Sequence, residues 1–132
     1  MGARIEYRNL VLKGDIVMDK SFIYGHEKIE NDFGYFPSFH DDIIDRIEIS
    51  SQGITFIIDM QTIPTGMSSY PKVKLMFCEV KDFNLEGEMY GCVSIILDIE
   101  FTKVDDYIET QISSSLGAGG TIRSNKVQIE FQ

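Results

Sequence analysis

Apolar residues recur at every second position over most of this chain, a period that predicts β-strands. Residues 93–101 show it most fully. Val93, Ile95, Leu97, Ile99 and Phe101 share one face, Ser94, Asp98 and Glu100 the other, and Ile96 breaks the alternation. An apolar face backed by a polar one marks an antiparallel strand wet on one side. Residues 121–131 repeat the scheme, with Val127, Ile129 and Phe131 predicted inward and Lys126, Gln128 and Glu130 outward. Val73, Leu75 and Phe77 form a third apolar row, and residues 106–114 a further strand with Ile108 and Ile112 on one face. Residues 43–49 and 54–60 flank Ser51-Gln52-Gly53, which reads as a hairpin turn with Ile54, Phe56, Ile58 and Met60 inward. A second hairpin is predicted from residues 5–12 and 16–18 around Lys13-Gly14-Asp15.

The period changes once. Ile29 and Phe33 stand four apart and His26 shares their face, which predicts one helix over residues 21–33 with Gly34 as its C-terminal cap. Residues 61–71, carrying Pro64, Gly66, Ser68, Ser69 and Pro71, predict a loop inside the domain. The expected fold class is α+β: a predominantly antiparallel β sheet of seven to eight strands with one short helix, in a single compact domain over residues 1–132. Open sheet, sandwich and half-barrel all satisfy this pattern.

Length and charge narrow the function. A chain of 132 residues suits one domain and buries about two-thirds of its unfolded surface. A net charge of −9 argues against nucleic acid or an anionic membrane as direct partner, since both require clustered Lys and Arg. It fits a basic protein partner, or simple solubility. No apolar run approaches the ~18 residues of a membrane span. MGARIEYRNL has no apolar signal core, and Glu6 stands where N-myristoylation needs Ser or Thr, so a cytoplasmic location is expected. Cys78 and Cys92 read as reduced, buried thiols, and without a Cys-x-x-Cys pair no zinc site is expected.

The densest stretch chemically is residues 33–42, FGYFPSFHDD. A loop with four aromatic rings is either folded onto the core or presented to a partner. Phe33, Phe36, Pro37 and Phe39 are expected to anchor it, leaving Tyr35, His40, Asp41 and Asp42 as candidate contact residues. The His40-Asp41 doublet allows a divalent metal reading with Asp42 and Asp45, but adjacent strand residues point to opposite faces. The other reading is that His40 hydrogen-bonds locally and fixes the loop. Asp41, Asp42, Asp45 and Glu48 form one acidic cluster and Asp105 with Asp106 another, each a solvated edge or a docking surface for a cationic partner. Gly117-Ala118-Gly119-Gly120 lies between strands with no Gly-Lys-Ser/Thr after it, so a hairpin turn or bulge is expected rather than a phosphate loop. No catalytic residue, metal or cofactor is assigned.

FGYFPSFHDD also resembles the signature of the immunity protein 50 family of bacterial polymorphic toxin systems. Phe33, Gly34, Tyr35, Pro37, Ser38, Phe39, His40 and Asp41 match it position by position, and Phe36 stands where tryptophan is usual. Residues 73–87, VKLMFCEVKDFNLEG, are similar to a family strand and its leucine-rich return, whereas Met89-Tyr90-Gly91-Cys92 replaces an asparagine-rich turn. The resemblance implies a non-enzymatic, cytoplasmic immunity protein that binds and neutralises a cognate toxin by stoichiometric occlusion, as a monomer or homodimer. Negative charge would speed encounter with a basic toxin such as a nuclease. The alternatives are a metal-dependent hydrolase built on His40, Asp41 and Asp45 with His26, and a structural or small-ligand module holding its ligand between sheet and helix.

Overall fold

A computed structural model describes residues 20–89, 91 and 93–132. The hairpin predicted over residues 5–18 lies outside them, as does Cys92. In chain order the elements are β1 (Ile23–Tyr24), α1 (His26–Phe33), β2 (Ile43–Ser50), β3 (Gly53–Asp59), β4 (Lys72–Glu86), β5 (Ser94–Val104), β6 (Tyr107–Leu116) and β7 (Gly119–Phe131). Among the described residues this is the expected α+β composition: seven strands in one sheet and one short helix. No helix among them is long and apolar enough to cross a membrane.

The sheet closes on itself. The strands run β7-β4-β3-β2-β5-β6, each antiparallel to its neighbour, and β6 pairs back onto β7. Closure removes most of the unpaired backbone that an open sheet exposes at its edges. Among the described residues β1 is the single parallel element, set beside Val127 and Gln128. The apolar rows read from sequence fill the interior: Ile54, Phe56, Ile58 and Met60 from β3 and the residue after it, Val73, Leu75 and Phe77 from β4, Ile108 and Ile112 from β6, Val127 and Ile129 from β7. Helix α1 adds Ile29 and Phe33, and the Phe33 ring stacks on Phe131 at 5.8 Å.

Three expectations need correction. The helix is shorter than residues 21–33. Gly25, at φ 91°, turns the chain sharply between the brief β1 and the first helical residue, His26. Its C-terminal end falls where expected, with the Gly34 N–H donating to Glu30 O at 2.7 Å. Cys78 is half-buried rather than buried.

The third correction concerns β5. Leu97 is 47% exposed, Val93 is exposed too, and Ile96, the residue that broke the alternation, is fully buried. Of two irregularities in the β5–β6 register, the one at Leu97 causes this. Ser114 follows Leu116 as partner while β5 advances one residue, and Leu97 is then passed over between the Ile96–Ser114 and Asp98–Ser113 pairs. The first passes over Ser115 of β6, whereas the bulge at Leu97 shifts the side-chain phase of β5 by one residue. Ser94 and Ile96 therefore face inward before Leu97, and Ile99 and Phe101 after it. Leu97→Ala is expected to change stability by no more than about 0.5 kcal/mol, against about 2–5 kcal/mol for Ile96→Ala. Urea melts of the two variants check the phase directly.

Candidate functional site

The 33–42 segment leaves α1 and runs along the narrowest seam of the barrel. β2 and β5 share only the pairs Ile43–Ile95 and Ile44–Ser94. The seam is prolonged by the loop itself. The Asp41 N–H donates to Ile96 O at 2.8 Å, and the Ile96 N–H donates to Asp42 O at 2.9 Å. The Leu97 carbonyl lies within 2.8 Å of His40 Nδ1, which donates to it as N–H. The bulge thus has a local use, since the unpaired residue of β5 is the one that holds His40. The His40 N–H also reaches Ser38 Oγ at 3.2 Å. Of the two readings of the histidine, local fixation of the loop is the one this geometry supports.

Anchors and exposed groups alternate along the segment. Phe33, Pro37 and Phe39 are buried, and Phe36 is half-buried, its ring meeting Phe39 and Phe101 edge-on at 6.1 Å each. Tyr35 is 54% exposed, and the His40 and Asp41 side chains point to solvent. Phe39 and Asp41 both take positive φ, 68° and 70°, which reverses the chain twice within three residues. Side chains that would have alternated regularly on an extended strand are sorted instead by these reversals.

Asp42 departs from expectation. It is only 4% exposed, and its Oδ1 accepts the Gln61 N–H at 2.8 Å, so it ties the start of β2 to the loop after β3. It is buried and positions backbone, where exposure was expected. Burial pushes its carboxyl above the usual 3.8, Asp41 adds to the rise, and the Gln61 N–H and His40 oppose it. A carboxyl raised in this way binds its proton more tightly in the folded chain than in the unfolded one. Its contribution to stability is therefore gained as pH falls through the folded pKa, is complete below about the ordinary aspartate value, and is lost above the folded pKa. Asp42→Asn is expected to flatten this part of the pH–stability curve. Asp42→Ala strands the Gln61 N–H and should cost about 1–3 kcal/mol. Urea titrations of both variants across the acidic range separate the two effects.

His40 moves upward from its usual 6.5, first through the bond to the Leu97 carbonyl and then through Asp41, whose Oδ2 lies 3.5 Å from Nε2. Its positive form is thus favoured on an otherwise acidic surface. The other residues considered for a metal are engaged elsewhere: Asp45 faces Lys72 at 3.7 Å and His26 faces Glu30 at 3.2 Å. Among the described residues no three His, Cys, Asp or Glu side chains converge on a point that a metal could occupy.

Beside the segment runs an open groove of about 690 Å³. One wall is Tyr35, Phe36 and Pro37, and the other is residues 98–101 of β5. Lys20 and Glu30 close its end, with Lys20 Nζ 5.7 Å from the centre of the Phe36 ring. No protein-family model, curated protein or solved structure matches this chain. The case for a function rests accordingly on this surface and on the motif resemblance. The part of the surface missed by sequence reading is the pair Asp98 and Glu100, which registered only as the wet face of a strand.

Proposed function

We propose that the protein is a non-enzymatic immunity factor that binds a cognate toxin and blocks it by stoichiometric occlusion. The observation that carries this reading is the sorting of the 33–42 segment. Buried rings fix it to a closed barrel, while Tyr35, His40 and Asp41 are exposed on its outer side, His40 held there by the Leu97 carbonyl. A rigid display of an aromatic ring with charged neighbours loses little conformational entropy on binding, which favours recognition of a preformed surface. The net charge of −9 supports a basic partner, since opposite charge accelerates encounter. The resemblance of the same ten residues to the immunity protein 50 signature points to a toxin as that partner and to the producing cell's cytoplasm as the place of action.

The test is growth rescue. The product of the reading frame adjacent in the source genome is expressed alone in a heterologous host and then together with this chain. Toxicity relieved by co-expression is the expected result; toxicity that persists at full expression of the chain refutes the pairing. Tyr35→Ala and Asp41→Ala should each weaken the complex by about tenfold or more in calorimetric titration, the usual effect of truncating a central contact. Both side chains are exposed, so both variants should melt as the parent does.

A further inference from the structure

The groove beside the aromatic loop has an unusual wall. Asp98, Ile99, Glu100 and Phe101 are consecutive in β5, yet all four line it. Successive side chains of a strand point to opposite faces, so four in a row bordering one groove fits a wall formed by the strand's edge. The ladders agree. On one side β5 pairs with β6 from Ile95 to Val104. On the other, its contacts with β2 and the loop run from Ser94 to Leu97 and no strand among the described residues continues them.

We propose that this edge of β5, unpaired among the described residues, receives an extended, lysine- or arginine-bearing segment of the partner protein as an added strand. Backbone groups of residues 98–101 would supply the ladder. Alternate side chains of the incoming strand would meet the outward carboxylates of Asp98 and Glu100 or lie over the half-buried Phe36. Charge selects the occupant. Three carboxylates, from Glu30, Asp98 and Glu100, line the groove with one ammonium, Lys20, already placed over the Phe36 ring. A second copy of this chain docking by the same edge would bring Asp98 and Glu100 against their own counterparts, and like charges opposed across a ladder destabilise it. The inference rests on the reading above in that the partner is a protein.

The probe is a short blocked peptide in which lysine and arginine alternate with valine, titrated into nitrogen-15-labelled protein. Amide shifts are expected at Tyr35, Phe36 and residues 98–101. They should weaken about tenfold in the Asp98→Asn/Glu100→Gln double variant and fade as salt rises from about 0.05 M to about 0.5 M. The same peptide N-methylated on its pairing edge should not bind. Equal shifts from a glutamate–valine peptide, retained binding by the N-methylated peptide, or shifts centred on Gln52 and Phe83, which line a separate groove between the β2–β3 turn and β4, would each overturn the proposal. Rescue assays keep the two ideas apart. If the parent chain restores growth and the double variant does so equally, the edge is wrong and immunity stands. If the parent chain fails, the pairing with that toxin falls while the peptide titration still decides the edge. Both substituted side chains are solvent-exposed, and an unchanged melt confirms that the double variant is folded.

Discussion

Phe39→Ala is expected to lower the unfolding free energy by about 3–5 kcal/mol, the range for removing a fully buried phenylalanine. The ring is 1% exposed and belongs to the central cluster. It meets Phe36 edge-on, and Phe36 in turn meets Phe101, so its loss opens a cavity at the point where loop and barrel join. Alanine brings no relief from the backbone. At φ 68° any side chain with a Cβ carries the left-handed cost, about 1–2 kcal/mol, and only glycine escapes it. Two measurements are expected to move together: the urea midpoint, and binding through Tyr35 and Asp41, which depend on Phe39 for their position. Tyr35→Ala is the control, with an expected change in stability within about 0.5 kcal/mol. A cost below about 1 kcal/mol for Phe39→Ala would show that the loop folds independently of the core.

The strands were legible because a half-buried strand writes its period into the sequence. Val73, Leu75 and Phe77, and Ile54, Phe56 and Ile58, lie inward as read. Residues 93–101 carried a warning that strict alternation overrode. Strict alternation makes Ile96 an exception on the outer face, when an inward Ser94–Ile96 phase followed by an inward Ile99–Phe101 phase is what a one-residue bulge at Leu97 produces. Barrel closure was not legible. The β6–β7 pairing that completes the ring and the two-pair seam between β2 and β5 are matters of which strand meets which, and local period carries no trace of that choice.

Within the site, the anchors were readable from size and apolarity alone, and Phe33, Pro37 and Phe39 are buried as expected. Asp42 was not readable. A carboxylate becomes a buried tie only when a donor from a distant segment meets it, and Gln61 lies nineteen positions further on, beyond a hairpin. Asp98 and Glu100 were seen as residues but not as a surface. Their significance depends on β5 having no second neighbour beyond Leu97 among the described residues, and a bulge followed by such an edge does not alter the polar pattern of the strand. Local chemistry was visible, then, and the juxtapositions that give it a use were not.

Gly120→Ala is the second large effect, at an expected cost of about 3–5 kcal/mol. Gly120 has φ 147°, a conformation that side chains avoid, and a Cβ added there would sit 1.9 Å from Asn84 O and 2.9 Å from Leu85 Cα. Both are backbone atoms of the paired strand, so no side chain can swing aside. The residue pairs with Leu85 on β4 and with Ile112 on β6, and so stands where β7 bridges the two sides of the ring. A clash here pries apart the closure and not merely one turn. Gly34→Ala separates conformation from space: φ is 87° and nothing lies within 4 Å of the added Cβ, so only the left-handed cost of about 1–2 kcal/mol is expected. The difference between the two melts isolates the close approach of β4 to β7. If the two variants lose the same stability, the β4 and β7 backbones relax around the added methyl, and the ring is closed less tightly at Gly120 than the distances to Asn84 and Leu85 require.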